Sequence, residues 1–537
     1  MTDGTSAAGE YRRAGWWRDG TFLDDLWRQA AERPGKPLLI GRRAGETDTI
    51  TYAEVAGLTD RIAHGLLDLD VRPGEFVVGQ LPNGWLGLPM ALACIRIGAR
   101  LAPLAATYGR QELERMLRLT RARVFVTVAD LGGERLAGNA LRLAREVDTL
   151  EKVVVAEGFG GTRPEGTISF EEVCLRREGD DPARLEGRTL GPDDPFLILF
   201  TSGTTGVFKG ALHSQNTLYA GIRGYQGALD LDDTLVKITP HTHNHYVGLV
   251  QGLLAPMVLG GSAAFADAWD PDVYLDLIEE HGVTMFYAGP SFVRELLEAQ
   301  QAKPLDVSSL RFVVSGSAPV PPQMVDEVRE ILGTRQYSLW GMTENGPVTM
   351  TRPDDDPGWP AYSDGRPTGG MEVRIDPMKG RDDGVGPLWV RGPAQCLDYY
   401  QASETYAADL DEDGWFNTGD LARDDGRGGI RISGRTKDVI MYRSFNLPVS
   451  DVEAELGRHP KVRDIALIGI PDPEVTERVC AVVVPQDEPP TLQELRDHLK
   501  EAGQSHWFWP ERLEILDAMP RTSTGKIRKV DLRARYA

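Results

Sequence analysis

An α/β protein in two parts is what this sequence predicts: a large multi-layer N-terminal domain with mainly parallel sheets, followed by a small α+β C-terminal domain. Three observations lead there. The 537 residues exceed what one ordinary hydrophobic core encloses. From Glu75 onward, short apolar runs alternate with segments of helical periodicity, the pattern of strands and covering helices in layered α/β units. A strand pair then gives way at Gly434-Arg435 to a new run of strands and helices, which puts a domain boundary between residues 1–434 and 435–537.

Taken in order, apolar positions at helical spacing run from Phe22 to about Ala31 and again from Thr51 to Leu67, either side of the hairpin-like stretch GRRAGETDTI. Glu54 falls in the first turn of the second of these helices, where the helix dipole favours a carboxylate. Next come the strand FVVGQL, a helix from Trp85 to Ile97, the strand RLAPLA, a helix from Arg110 to Thr120 and the strand RVFVTV. Phe196 to Phe200 is a buried-type strand, and MFYAGP, the helix SFVRELLEAQ and the strand LRFVVSGSAPV continue the alternation. Beyond the boundary, Asp451 to Arg458 and Leu492 to Lys500 read as helices, and IALIGIP, VCAVVVP and RLEIL as strands.

Composition narrows the function. Shares of 41% hydrophobic and 26% charged residues are those of a soluble globular protein. A formal net charge of −21 argues against nucleic acid as a partner, because phosphate backbones require clustered Lys and Arg. The N-terminus lacks the apolar core of a signal peptide and no apolar run reaches membrane length, so a cytoplasmic location with no membrane partner is expected. Cys94, Cys174, Cys396 and Cys480 are scattered without metal-finger spacing and read as core thiols.

The chemistry concentrates in a few stretches. In FLILFTSGTTGVFKGALH a strand runs into Thr201, Ser202, Gly203, Thr204, Thr205 and Gly206, and then Lys209. Glycines let the backbone approach an anion closely, successive N–H groups and hydroxyls converge as donors, and Lys209 adds a mobile positive charge; a nucleotide polyphosphate is the natural guest. A Ser/Thr/Gly linker has similar composition but needs neither the strand before it nor the Lys-Gly after it. The loop is not GxxxxGK[ST], so a P-loop NTPase has no support. Gly316, Ser317 and Ala318 form a small-residue turn at a strand end with room for a flat ligand; alone, it would read as a simple strand-to-helix turn. In YSLWGMTENG, Tyr337 or Trp340 could stack on a base, Thr343 could donate to a phosphate and Glu344 could hold a magnesium ion bridging phosphates. Asp420, after a Gly-rich turn, could accept both hydroxyls of a ribose; without context it is an Asx turn. Lys526 lies on a Ser/Thr/Gly turn, and a flexible cation there can stabilise charge developing between a carboxylate and an α-phosphate. His241, His243 and His245 alternate beside Asn244. On a strand they would share a face, as metal ligands can, but no cysteine or acid lies nearby; hydrogen-bonded loop histidines are the plainer reading.

In this order and at these separations, over roughly Phe22 to Arg533, the segments resemble the adenylate-forming superfamily of acyl-CoA synthetases, peptide-synthetase adenylation domains and luciferases. Its phosphate loop usually reads TSGTTGxPKG; this chain has Phe208 at the proline. The resemblance implies that the small domain rotates on a hinge at Lys437, that Gly316 to Ala318 line the adenine side, and that Arg435 contacts ribose or phosphate. It also implies an acid pocket near His241, His243, Asn244, His245 and Gly341, with His243 the best match to a residue at its mouth. The implied reaction joins ATP and an acid, with Mg2+, into an acyl-adenylate and pyrophosphate, Lys526, Lys209, Thr343 and Glu344 acting by positioning and electrostatics. An acceptor follows: coenzyme A, an amine or a carrier-protein thiol. Relatives that use coenzyme A usually have glycine where Ser444 stands and Pro where Val449 stands, and a Cβ narrows a backbone-lined tunnel. The leading expectation is a ligase for a small, aryl or alicyclic carboxylic acid with coenzyme A as acceptor. The alternative is an amine acceptor, including nitrite activation for diazotisation of an arylamine in secondary metabolism. A catalytically silent binding protein is disfavoured by the intact Lys209, Glu344, Asp420, Arg435 and Lys526.

Overall fold

The computed structural model describes residues 7–536 apart from 177–179, 203–207, 379–382, 436–439, 443, 444, 448, 473–475, 503, 505, 507, 508, 523 and 524. Local signals set the first elements. Thr51 caps the helix Tyr52–Asp68, and Glu54 reaches back to the Thr51 N–H at 2.8 Å, closing a capping box. The strands Pro37–Arg43 and Glu46–Thr51 pair antiparallel, as the hairpin-like stretch predicts.

Two large sheets dominate the N-terminal part. In one, Arg100–Leu104, Phe76–Gln80, Val124–Val128, Lys152–Ala156 and Ile168–Ser169 run parallel. Pro195–Ser202 joins them in parallel at Leu197. In the other, Pro37–Arg43, Ser262–Ala266, Val236–Ile238, Met285–Ala288, Phe312–Ser315 and Arg335–Met342 are parallel, with antiparallel strands at both edges. One apolar cluster holds the two together: Val77 and Leu197 of the first, Leu39 and Phe265 of the second, and the wholly buried Leu88 to Ile95 of the helix Gly87–Arg96. Such two-sided burial is why these strands read as continuous apolar runs. An antiparallel sheet of Glu372–Ile375, Gly386–Arg391, Phe416–Asp424 and Ile430–Arg435 packs through Leu388 and Phe416 against Ala211 and Val348 of the larger sheets.

The last sheet belongs to the C-terminal domain. Val462–Asp472 and Thr476–Pro485 form its long hairpin, with Arg512–Ile515 parallel to the second strand. Its alternating side chains feed two clusters, one around Leu467, Val483 and Leu495, the other around Ile468, Val482 and Leu532. Gly525, at φ +82°, brings this domain against the helix Pro290–Ala302: a Cβ there would stand 3.0 Å from Ser291 Oγ. All four cysteines are buried free thiols, and among the described residues no helix is long and apolar enough to cross a membrane.

The structure separates the two readings of the histidines. The histidines do not alternate along a strand. They occupy a turn, closed by the His245 N–H donating to the Thr242 carbonyl at 2.9 Å, before the π-helical segment Val247–Leu254. On either side of the phosphate loop, the strands Pro195–Ser202 and Phe208–Ser214 pair antiparallel, with Lys209 on the second opposite Thr201.

The turn and the helix after it meet backbone to backbone, since a Cβ on Gly248 would fall 2.1 Å from the Thr242 carbonyl oxygen. Gly248→Ala is expected to destabilise the fold by about 1–3 kcal/mol in urea unfolding. Gly227→Ala, in the helix Gln215–Leu229 with nothing within 4 Å of its Cβ, is expected to stabilise it by about 0.5–1 kcal/mol.

Candidate functional site

The site assembles where several strand ends meet. Ser202 closes the first strand of the phosphate hairpin opposite Phe208, and Gly203, Thr204, Thr205 and Gly206 lie outside the described residues. Lys209 emerges from the return strand, its ammonium 3.1 Å from Asp409 and 4.5 Å from the Tyr399 ring centroid. Tyr399 sits on the neighbouring edge strand Asp398–Tyr399 and donates to Glu344 Oε1 at 2.9 Å. Glu344 is 6% exposed; burial raises its pKa, while Tyr399, Lys209 and Arg435 act in the other direction. The turn that carries Glu344 is itself anchored, because buried His213 bonds the Thr343 carbonyl through Nε2 at 2.8 Å and Thr217 Oγ1 through Nδ1 at 2.9 Å.

Across the cleft, Asp420 is 5% exposed and held three ways. It accepts from Arg435 Nε at 2.8 Å and Trp340 Nε1 at 3.1 Å, and its N–H donates to Thr418 Oγ1 at 3.0 Å. The register of the antiparallel sheet places Asp420 directly opposite Arg435. Lys526 comes from the other domain. It is exposed as a residue, but its ammonium is crowded by protein, and that crowding, with Arg435 second, lowers its pKa; Asp420 and Glu344 oppose the shift.

The histidine turn closes the same cleft. His241 and His245 stack at 5.8 Å between centroids, and both imidazoles feel the Lys526 charge. Burial, the larger cause for each, brings His241 to about 3 and His245 to about 4, so both are neutral at physiological pH. His241 Nδ1 bonds Thr239 Oγ1 at 2.9 Å, while its buried Nε2 has no partner among the described residues. The residue that sequence reasoning favoured is turned elsewhere: His243 Nδ1 accepts from the Gly84 N–H at 3.4 Å and its ring packs edge-on against Phe265. His243 and Asn244 line a separate small cavity with Gly79, Pro82, Met90 and Leu104.

Tyr337 is a second correction. It is 4% exposed and packs against Phe312 in the core, whereas Trp340 reaches Asp420. Ser317 adopts φ +74°, a left-handed conformation rare outside glycine, in the turn where Gly316 would place a Cβ 3.0 Å from the Leu339 carbonyl. Gly341 has a structural requirement of its own, as a Cβ there would stand 2.2 Å from the Gly346 carbonyl oxygen. Lys437 and Ser444 lie outside the described residues. Among the described residues no three His, Cys, Asp or Glu side chains form a metal-holding group. Tyr399, Asp409 and His213 went unmarked by the sequence, since an aromatic on an edge strand, a surface carboxylate and a core histidine carry no local signature.

Residues 26–400 match the family model described as AMP-binding enzyme, and residues 451–526 match its AMP-binding enzyme C-terminal domain. The chain belongs to the AMP-binding enzyme family. It is an AMP-forming ligase of the adenylating kind. One relative is the 3-[(3aS,4S,7aS)-7a-methyl-1,5-dioxo-octahydro-1H-inden-4-yl]propanoyl:CoA ligase of Mycobacterium tuberculosis, 33% identical across 95% of this chain and 97% of that protein. Another is the salicyl-AMP ligase / salicyl-S-ArCP synthetase of the same organism, 31% identical across 97% of this chain and 92% of the relative. Among solved structures, the amide bond synthetase McbA from Marinactinospora thermotolerans superposes with a TM-score of 0.82 at 26% identity, covering 96% of this chain and 99% of the other.

The cleft and the core beside it thus hold four buried histidines, and this fixes a pH response. In the unfolded chain a histidine protonates near 6.5, whereas burial holds His213 and His245 to about 4 and His241 and His243 to about 3. The unfolded state therefore binds the extra protons, and stability falls as the pH is lowered from 6.5 toward 4. Each histidine contributes at most about 1.4 kcal/mol per pH unit. Urea unfolding at a series of pH values reads the slope, and His213→Asn is expected to flatten it.

Proposed function

We propose that this ligase uses ATP and Mg2+ to adenylate a small aryl or alicyclic carboxylic acid and then passes the acyl group to coenzyme A. The observation that carries the reading is the convergence on Lys526: one cation from the C-terminal domain faces Glu344, Asp420, His241 and His245 of the large domain, with Arg435 at the domain boundary beside it. Lys526 binds the carboxylate and the α-phosphate together and stabilises the charge that develops between them. Lys209 and Thr343 orient the phosphates, with Lys209 exchanging its Asp409 partner for a phosphate oxygen. Asp420 holds the ribose, positioned by Arg435, and Trp340 takes the stacking role beside Gly316, Ser317 and Ala318. Glu344 offers a single carboxylate, which fits Mg2+, an ion bound through one or two carboxylates together with phosphate and water oxygens. When bound, Mg2+ neutralises phosphate charge.

The small domain, residues 435–537, turns at Lys437 to admit the acceptor. Two sequence relatives, one named for an alicyclic acyl-CoA ligase and one for salicyl-AMP formation, support both the acid class and the adenylate. An amine acceptor is the second reading, favoured by the end-to-end likeness to an amide bond synthetase.

Pyrophosphate release with Mg-ATP, measured against aryl and alicyclic acids and nitrite with and without coenzyme A, tests the proposal. The expected result is a carboxylate-dependent release that yields a thioester. Release with nitrite alone, or with a carboxylate but no thioester, overturns the coenzyme A reading. Lys526→Ala is expected to lose at least about 100-fold in adenylation, with an unchanged melting temperature, because Lys526 is exposed on its turn.

A further inference from the structure

Lys237 is fully buried in the middle of the nine-stranded sheet, on the strand Val236–Ile238. Its neighbour Ile238 points into the apolar cluster on one face, while Lys237 points into the other. There its ammonium lies 4.4 Å from the ring centroid of Tyr225 and 4.9 Å from that of Tyr287, two rings stacked at 6.2 Å. Among the described residues it makes one hydrogen bond, to the Tyr225 hydroxyl at 3.4 Å, and no ion pair. An ammonium has three N–H donors. A buried amine so poorly matched is costly, and an apolar side chain would serve the core better.

Its surroundings lead back to the site. Tyr287, which forms one side of the Lys237 cage, has its hydroxyl 3.3 Å from the place a Cβ on Gly316 would occupy. The Tyr287 ring is 5.8 Å from His241, which stacks on His245. His241 feels the charges of both Lys237 and Lys526, and its buried Nε2 is unpartnered among the described residues. From Lys526 inward the order of neighbouring side chains is therefore His245, His241, Tyr287, Lys237: neutral and aromatic groups, with unmet donors at the far end.

We propose that Lys237 forms the distal end of the acid pocket and selects acids carrying a second group, anionic or strongly hydrogen-bond accepting, remote from the carboxylate that is adenylated. The inference rests on the adenylation reading above. The aromatic walls suit an aryl or alicyclic body, and the distal group supplies the acceptor that the Lys237 N–H groups lack. Burial lowers the pKa of Lys237 well below the ordinary lysine range and so weakens its hold on the third proton, but ammonium and amine alike present N–H donors. An acid without the second group leaves that donor unpaired, the arrangement by which polar sites discriminate most strongly.

The test compares kcat/KM for pyrophosphate exchange between benzoate or cyclohexanecarboxylate and their 3- and 4-substituted oxo, hydroxy, nitro and carboxyl derivatives. Wild type is expected to prefer one of the substituted acids by about 10- to 100-fold. Lys237→Met is expected to erase that preference by lowering the substituted acids alone, and to melt no lower than wild type because it removes a buried amine. Lys237→Gln, which keeps a donor, should retain part of the preference. A wild type that prefers the unsubstituted acids, or a variant that slows every acid in equal proportion, overturns the assignment. Exchange with no acid would instead sink the adenylation reading. Acid-induced melting shifts then decide Lys237 separately, with substituted acids stabilising wild type but not Lys237→Met; equal shifts in both proteins overturn it.

Discussion

The charge relation between one ammonium and two buried carboxylates is the feature around which this site is arranged. Lys526 is carried by the C-terminal domain, Glu344 by the turn after the strand Arg335–Met342 and Asp420 by the middle of the strand Phe416–Asp424, so the apposition of the two domains brings these charges together. Burial first, and Arg435 after it, lower the pKa of the ammonium against the pull of the two carboxylates. A cation in that state is suited to exchanging protein carboxylates for substrate oxygens. The fit of the domains at Gly525, against Ser291 and Phe292, depends on a residue with no side chain.

Everything around that meeting point holds polar groups in place before a substrate arrives. Asp420 is fixed by Arg435, Trp340 and Thr418, and Glu344 by Tyr399, while His213 ties the Thr343 carbonyl to the hairpin that carries Lys209. Preorganised dipoles and charges in a water-poor cleft are worth more than the same groups in solvent, because they need no rearrangement as charge develops. The cost is borne by burial, visible in the depressed histidines and in the raised pKa of Glu344.

Much of this could be read along the chain. Strands buried on both faces announce themselves as apolar runs, and Thr51 with Glu54 spells a capping box in four residues. Two readings went astray for one geometric reason. Tyr337 and Trp340 both lie on the strand Arg335–Met342, and hydropathy does not say which of its faces borders the cleft. His241, His243 and His245 look equivalent by spacing, yet the turn they occupy sends His243 toward Gly84 and the other two toward Lys526. Gly341 reads as a pocket glycine, while its backbone contact with Gly346 is set by a neighbouring strand.

The sequence by itself determined the fold class, the order of the elements and the motifs bearing Lys209, Glu344, Asp420, Arg435 and Lys526, because each rests on contacts or periodicities a few residues long. Tertiary structure alone decided which of these groups face one another, and it added Tyr399, Asp409, His213 and Lys237, none of which carries a local signal. Lys237 shows why: the sequence records a lysine in a strand, and only the packing of Tyr225 and Tyr287 around it, from segments 12 and 50 residues away, makes it a buried donor. Burial and the direction of a side chain are properties of packed neighbours, and neighbours are chosen by the fold.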